Sequence, residues 1–298
     1  MKIGINPRWG NVLTLRQTSQ FSGNVGNTSY VVNPNDWDSV DYVLILDPSE
    51  PVPSFVPRER IVLLCMENPS IWSPSDFDLS NIGIMISPYS NYSDADYAAK
   101  RIQGFPCVPW FYGIEFCTNS GLLHRPLISY MELDAMTAQQ MPAKPKLLSI
   151  ITSSKCITAG HSWRISVANK VKSYFGKHVD VYGFGHSPIR DKRNAIDPYT
   201  FSLVLENDCI DYYVTEKVVD CLLGWSIPIY GGCSQVFEAV EQSINTIPFG
   251  CSVEYALDLI KGIVNSGGIS LDCLAQARSS ALANLNMYHA VPQALSEL

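Results

Sequence analysis

Two cations lie near the starts of two apolar-faced helical patterns in the second half of the chain. Arg164 stands in "SWRISVANKVKSYFG" (162–176), and Lys217 stands in "YVTEKVVDCLLGW" (213–225), where a helix is expected to begin near Tyr213. The positive end of a helix dipole disfavours a cation there, by roughly a few tenths of a kcal/mol when exposed. An anion held between the two would reverse that sign. Free N–H groups at helix starts already accept phosphate, arginine adds a two-pronged fork and lysine a point charge. A diphosphate carries enough charge to use all of them. A second reading stays open: Lys217 pairs with Asp220, Glu216 or Asp211, and Arg164 lies on a solvated helix face.

These residues need elements to position them. Short apolar runs read as strands at 2–6, 42–47, 61–66 and 82–87 in the first half, and at 147–153, 179–183, 201–206 and 227–232 in the second. Continuous apolar runs with helical patterns between them suggest parallel strands covered on both faces. Along the first helix, Ile165, Ala168, Val171 and Phe175 share a face, with Ser162 as N-cap and Gly176 as stop. Along the second, Val218, Val219, Leu222 and Leu223 do so. The segment 136–146 is polar, lacks periodicity and holds two prolines, which places a boundary there. The expectation is α/β, with domains at 1–140 and 141–298, each doubly wound. Ligands of such sheets sit beyond the carboxyl ends of the strands. Glu206 and Asn207 follow "FSLVL", Glu67 follows "IVLLCM", and Gly183 and Gly185 follow "VDVY" at such ends.

Length and composition bound the function. A chain of 298 residues, 46% hydrophobic and 16% charged, supports two packed domains with little sign of disorder. The net charge of −7 without a basic block argues against a nucleic-acid partner. No run approaches the ~20 apolar residues of a membrane span, and the N-terminus shows no secretory signal. Nine cysteines without a C-x-x-C pair read as reduced thiols, so a cytoplasmic location is expected.

The stretch "FSLVLENDCIDYYVTEKVVDCLLGWSIPIYGG" (201–232) resembles the donor-binding signature of the α-1,3/α-1,4-fucosyltransferases, glycosyltransferase family 10. The matching parts are Leu205-Glu206-Asn207, then Tyr213-Val214-Thr215-Glu216-Lys217, then Ile227-Pro228-Ile229. "SWRISVANKV" with "VDVYG", and "LLCMENPSIW", are similar to the family more loosely. The resemblance implies a GT-B fold, two Rossmann-like domains facing across a cleft, with GDP-fucose held mainly by the C-terminal one and a glycan acceptor by the other. It implies inverting transfer of L-fucose from GDP-β-L-fucose without an obligatory metal. Lys217 and Arg164 would contact the diphosphate; Glu216, Tyr213 and Asn207 would line the nucleotide and sugar site, with Glu206 beside them; Glu67 would be the general base. Leu205 replaces the family's aromatic residue, and Asn68 replaces the serine after the base.

Other features weigh less. Arg190, Lys192 and Arg193 read as a solvated loop. Asp76 with Asp78, and Asp94 with Asp96, match D-x-D, but neither pair follows a strand. Trp72, Trp110 and Tyr112 could face an acceptor sugar, though large aromatics are more often core. Glu67 could instead cap the loop before Trp72. A different nucleotide sugar, or binding without chemistry, is the alternative function.

Overall fold

The structure is a computed structural model and describes residues 1–6, 10–46, 55–68, 71, 79–89, 100–116 and 123–298. Among these, two main sheets carry the fold. The first runs in the order β2-β3-β1-β4-β5-β6-β7, from β1 (Lys2–Asn6), β2 (Asn24–Val25), β3 (Thr28–Val32), β4 (Tyr42–Leu46), β5 (Ile61–Leu64), β6 (Ile84–Ser87) and β7 (Lys100–Gln103). Every pairing in it is parallel except the short β2–β3 hairpin. A hairpin of β8 (Ile114–Phe116) and β9 (Leu123–Pro126) comes next. The second sheet is wholly parallel, in the order β11-β10-β12-β13-β14, from β10 (Lys146–Ile151), β11 (Val179–Tyr182), β12 (Tyr199–Leu205), β13 (Ile227–Gly231) and β14 (Asn245–Thr246).

The helices are α1 (Asn11–Thr14), α2 (Tyr130–Ala135), α3 (Ala159–Phe175), α4 (Arg193–Ile196), α5 (Glu216–Leu223), α6 (Val236–Val240), α7 (Val253–Ser266), α8 (Leu271–Asn284) and α9 (Met287–Ser296). Side chains alternate across a strand, so each sheet feeds two cores. In the first sheet Leu44, Leu46, Val62, Leu64, Ile84 and Ile86 face one side, while Val43, Ile45, Ile61, Leu63 and Met85 face the other. In the second, Leu148, Ile150, Leu203 and Leu205 meet α3 and α7, while Val204 and Tyr230 meet α5 and α8.

The last helix crosses back. Met287, Tyr288, Val291 and Leu295 of α9 bury against the first sheet, each burial contributing about 1.5–3 kcal/mol. The Tyr30 hydroxyl donates to Tyr288 O at 3.0 Å, and Asn286 caps the helix while its amide donates to Gln17 O at 3.2 Å. The chain ends therefore tie the two halves together.

Two helix starts differ from the sequence expectation. Helix α3 begins three residues before Ser162, because the Thr158 hydroxyl takes the His161 N–H at 3.2 Å and serves as N-cap. Its buried face then includes His161, Arg164, Val167, Ala168 and Val171, and Ile165 and Phe175 are only partly buried. Helix α5 starts at Glu216 rather than near Tyr213, which makes Lys217 its second residue. No helix among the described residues is long and apolar enough to cross a membrane.

Candidate active site

The late start of α5 is caused by Glu206. Strand β12 ends at Leu205, and Glu206 still donates its N–H to Gly231 O at 2.8 Å, which fixes its backbone. Its side chain is fully buried and accepts the Thr215 N–H at 3.0 Å and the Thr215 hydroxyl at 2.8 and 2.9 Å to its two oxygens. Thr215 is thereby held in extended conformation, and the helix opens behind it. Lys217 Nζ lies 3.1 Å from the Glu206 carboxylate, donates to the Thr215 hydroxyl at 2.8 Å and stands 3.7 Å from Glu216. A buried carboxylate at the helix start offsets the cost of a lysine there. Burial works to lower the Lys217 ammonium, but Glu206 and Glu216 outweigh it and raise it above its ordinary value.

The ion pairs continue inward. Glu216 is 3.7 Å from Lys192 as well as from Lys217. Lys192 pairs with Asp220, one turn further along α5, and its ammonium sits 5.1 Å from the centre of the Phe111 ring. Asp220 Oδ1 also accepts the backbone N–H groups of Phe111 and Tyr112, both at 2.7 Å. Burial pushes the Glu216 carboxyl up, yet Lys217 and Lys192 hold it below its ordinary value; for Asp220 burial wins and the carboxyl is raised.

Arg164 approaches from α3. It is 6% exposed, and its Nε finds no hydrogen-bond partner among the described residues. Burial lowers the guanidinium, opposed by the nearby charges of Glu206, Glu216 and Tyr213. Close approach of α3 to the end of β12 requires Gly160: a Cβ there would lie 2.1 Å from Asn207 O. Gly160→Ala is accordingly expected to destabilise the protein by about 1–3 kcal/mol, as overpacking does, and to weaken anion binding at the α3 start. Urea titration and the binding isotherm check both. Asn207 in turn accepts the Tyr213 hydroxyl at 3.0 Å. Burial lowers the His161 imidazole, reinforced by Arg164, Lys217 and Lys155, so cations gather at this end.

Arg164, Lys192, Lys217, Glu216 and Asp220 line one cavity of about 280 Å³ beside the carboxyl ends of β10 and β12. Its apolar wall includes Phe111, Phe116, Phe184, Ile189 and Leu205. Gly183, at φ +115°, also lines it, and a Cβ there would strike Thr152 O at 2.0 Å. The arrangement offers an anion two converging helix starts and cations at one end, and a flat apolar group a wall at the other.

Residues 141–246, just over a third of the chain, match the family described as glycosyltransferase family 10 (fucosyltransferase), C-terminal part. These residues carry the match to glycosyltransferase family 10. The match spans α3, β12 and the start of α5, the elements that build the cavity. Two solved structures are similar over nearly the whole chain. One, "Crystal Structure of alpha1,3-Fucosyltransferase", is 18% identical with a TM-score of 0.51, covering 92% of this chain and 80% of that one. The other, the same enzyme class "with GDP", is also 18% identical with a TM-score of 0.51, covering 97% and 92%. Curated proteins give no significant sequence match. The fold is the GT-B arrangement expected, two Rossmann-like units facing across a cleft.

Within this chain the residues picked out from the sequence come together in part. Arg164, Lys217 and Glu216 share the cavity wall; Glu206 lies behind Lys217, and Asn207 and Tyr213 flank them. Glu67 does not line the cavity. It is half-buried past the end of β5, and its charge reaches Tyr213: burial, then Glu206 and Glu67, push that phenol well above its ordinary value. The carboxyl ends of the two sheets therefore face each other at Glu67 and Tyr213. Asn68 caps the turn after β5, its Oδ1 accepting the Ile71 N–H at 3.0 Å. Trp110 and Tyr112 are buried, at 2% exposure each, and so belong to the core. Trp72, Asp76, Asp78, Asp94 and Asp96 lie outside the described residues.

One expectation is corrected. Lys192 is not a solvated loop residue but a cavity residue clamped by two carboxylates, whereas Arg193 pairs with Asp191 and Arg190 with Glu115. The sequence signal was the spacing of Glu216 and Asp220, which puts two acids on one helix face and calls for a buried cation.

Proposed function

We propose that this glycosyltransferase moves L-fucose from GDP-β-L-fucose to a hydroxyl of a glycan, by a single displacement with inversion. The observation that carries the reading is the presence of Arg164 and Lys217 on one cavity wall within the family 10 residues. As the sugar becomes oxocarbenium-like, the leaving diphosphate gains negative charge. Fixed cations and helix starts stabilise that charge at little reorganisation cost. Residues 141–298 hold the donor in this reading and residues 1–140 the acceptor, with Glu67 taking the hydroxyl proton from across the cleft. Arg164 and Lys217 supply the charge, so the reading invokes no metal.

Leu205, which lines the cavity where the family has an aromatic residue, favours one second reading, a different donor sugar on the same nucleotide. Thermal shift with GDP, UDP, CMP and their sugars separates the cases. GDP is expected to raise the melting temperature; at a hundredfold excess over Kd it adds about 2.7 kcal/mol. Stabilisation by UDP or CMP in place of GDP would overturn the donor assignment, and GDP-mannose outperforming GDP-fucose would overturn the sugar.

A further inference from the structure

The ion pairs of the cavity form an alternating chain, Glu206–Lys217–Glu216–Lys192–Asp220. Its two lysines differ in freedom. Lys217 is a quarter exposed and has the cavity in front of it. Lys192 is 12% exposed and is fixed from three sides, by Asp220, by Glu216 and by the face of Phe111. Asp220 is itself pinned by the N–H groups of Phe111 and Tyr112. Both lysines line the cavity, and a diphosphate arriving there meets the more exposed Lys217 ahead of the more buried Lys192.

We propose that Lys192 is a positioning residue for Glu216: it holds the Glu216 carboxylate in place when Lys217 turns to the diphosphate of the donor. The inference rests on the donor reading above for its biological meaning, and on the ion-pair geometry for its substance. Six groups act on Glu216 or answer to its charge: Thr215, Lys217 and Asp220 of its own helix and cap, Lys192 from the segment before α4, Arg164 from α3 and Tyr213 from the preceding loop. Asp220 opposes its ionisation, and burial opposes it too. With Lys217 engaged elsewhere, Lys192 is the cation left against it at 3.7 Å. Without Lys192, Glu216 takes up a proton more readily, and a protonated carboxyl turns one acceptor position toward a sugar or ribose hydroxyl into a donor.

Carboxyl 13C NMR, with the Glu216 signal assigned by Glu216→Gln, tests this without any ligand. Lys217→Met imitates the diversion of Lys217. Adding Lys192→Met to it is expected to raise the Glu216 midpoint by about 1–3 pH units, and Lys192→Arg is expected to restore it. Should Lys192→Met leave Asp220 too poorly paired to fold, Asp220→Asn is added to both members of the comparison, with and without Lys192→Met; it can keep the two N–H bonds to that side chain and removes the same Asp220 charge from each side. An identical Glu216 midpoint with and without Lys192 overturns the proposal. A second arm measures GDP affinity from pH 5 to 8. Both profiles carry the titration of the terminal phosphate of GDP and of His161, so the readout is their difference: Lys192→Met is expected to weaken relative to wild type as pH rises, because its complex must hold an extra proton. Parallel profiles also overturn it. If wild type fails to bind GDP, the donor reading falls while the NMR arm still decides the role of Lys192.

Discussion

Replacing Lys217 with alanine is expected to abolish the rise in melting temperature that GDP should give the wild-type protein, and also to lower the melting temperature of the unliganded protein. The two effects have different causes. The first is the loss of a cavity-facing cation that would meet the diphosphate beside Arg164. The second comes from Glu206, which is fully buried and then keeps only its bonds to Thr215 and the nearby guanidinium of Arg164. Removing one partner of a buried pair costs about 3–5 kcal/mol; Lys217 is a quarter exposed, so water enters and about 1–3 kcal/mol is the reasonable scale. The double variant Lys217→Met with Glu206→Gln separates them. It removes both charges, so it is expected to recover most of the stability and none of the GDP response. The lysine's folded-state value is raised, so its contribution is full below the ordinary lysine range and is lost only as pH rises through the higher folded value. Glu216 has the opposite sign. Its folded value is depressed, so its contribution is present above the ordinary carboxylate range and fades as pH falls through the folded value. Between those limits the stability gap between wild type and Lys217→Ala is expected to narrow as pH falls through the histidine range, because losing Lys217 relieves part of the depression of His161. A Lys217→Ala protein that binds GDP with unchanged affinity would remove the lysine, and the donor assignment with it.

Much of this site was legible because strand ends are legible. Runs such as Ile61–Leu64 and Tyr199–Leu205 are apolar on both faces, as parallel strands between helical layers must be, and the residues just past their carboxyl ends face the cleft. Strands β3 and β7 escaped for the opposite reason. Lys100-Arg101-Ile102-Gln103 is a part-exposed edge strand, and Thr28–Val32 is reached through turns at Gly23 and Gly26 inside a polar stretch that reads as loop. The helix starts moved because distant groups decide them. Glu206 takes the N–H of Thr215, nine positions on, and no local pattern announces that. Arg164 was legible as a charge near a helix start but not as a buried one, because burial depends on Gly160 letting α3 close on Asn207. Lys192 was legible only from the other side: Glu216 and Asp220 share a helix face and ask for a cation, but which cation answers depends on a contact 28 residues away.

Glu67→Gln is expected to leave the GDP-induced rise in melting temperature unchanged and to reduce transfer by about 10²–10⁴-fold, the scale of a lost general base. The substitution keeps size and shape and removes only the ability to accept a proton. Donor binding should survive, because Glu67 lies outside the cavity and the cations that face the diphosphate belong to α3 and α5. Folding should survive as well. The Tyr89 hydroxyl donates to the Glu67 backbone carbonyl, which glutamine retains, Asn68 Oδ1 still accepts the Ile71 N–H, and glutamine keeps one side-chain oxygen as an acceptor. The role therefore separates cleanly from structure: a lost GDP response or a lowered melting temperature would mark Glu67 as structural, and full turnover would remove it as the base. Glu67→Asp adds a geometric check. It keeps the charge but withdraws the oxygen by one methylene, and misplacement on the order of 1 Å costs about 10²-fold. A base acting across a cleft must reach the acceptor hydroxyl from the far side of the sugar, so aspartate should fall between wild type and glutamine. Aspartate equal to wild type would mean the carboxylate acts only through its field at Tyr213, a charge the shorter side chain still supplies.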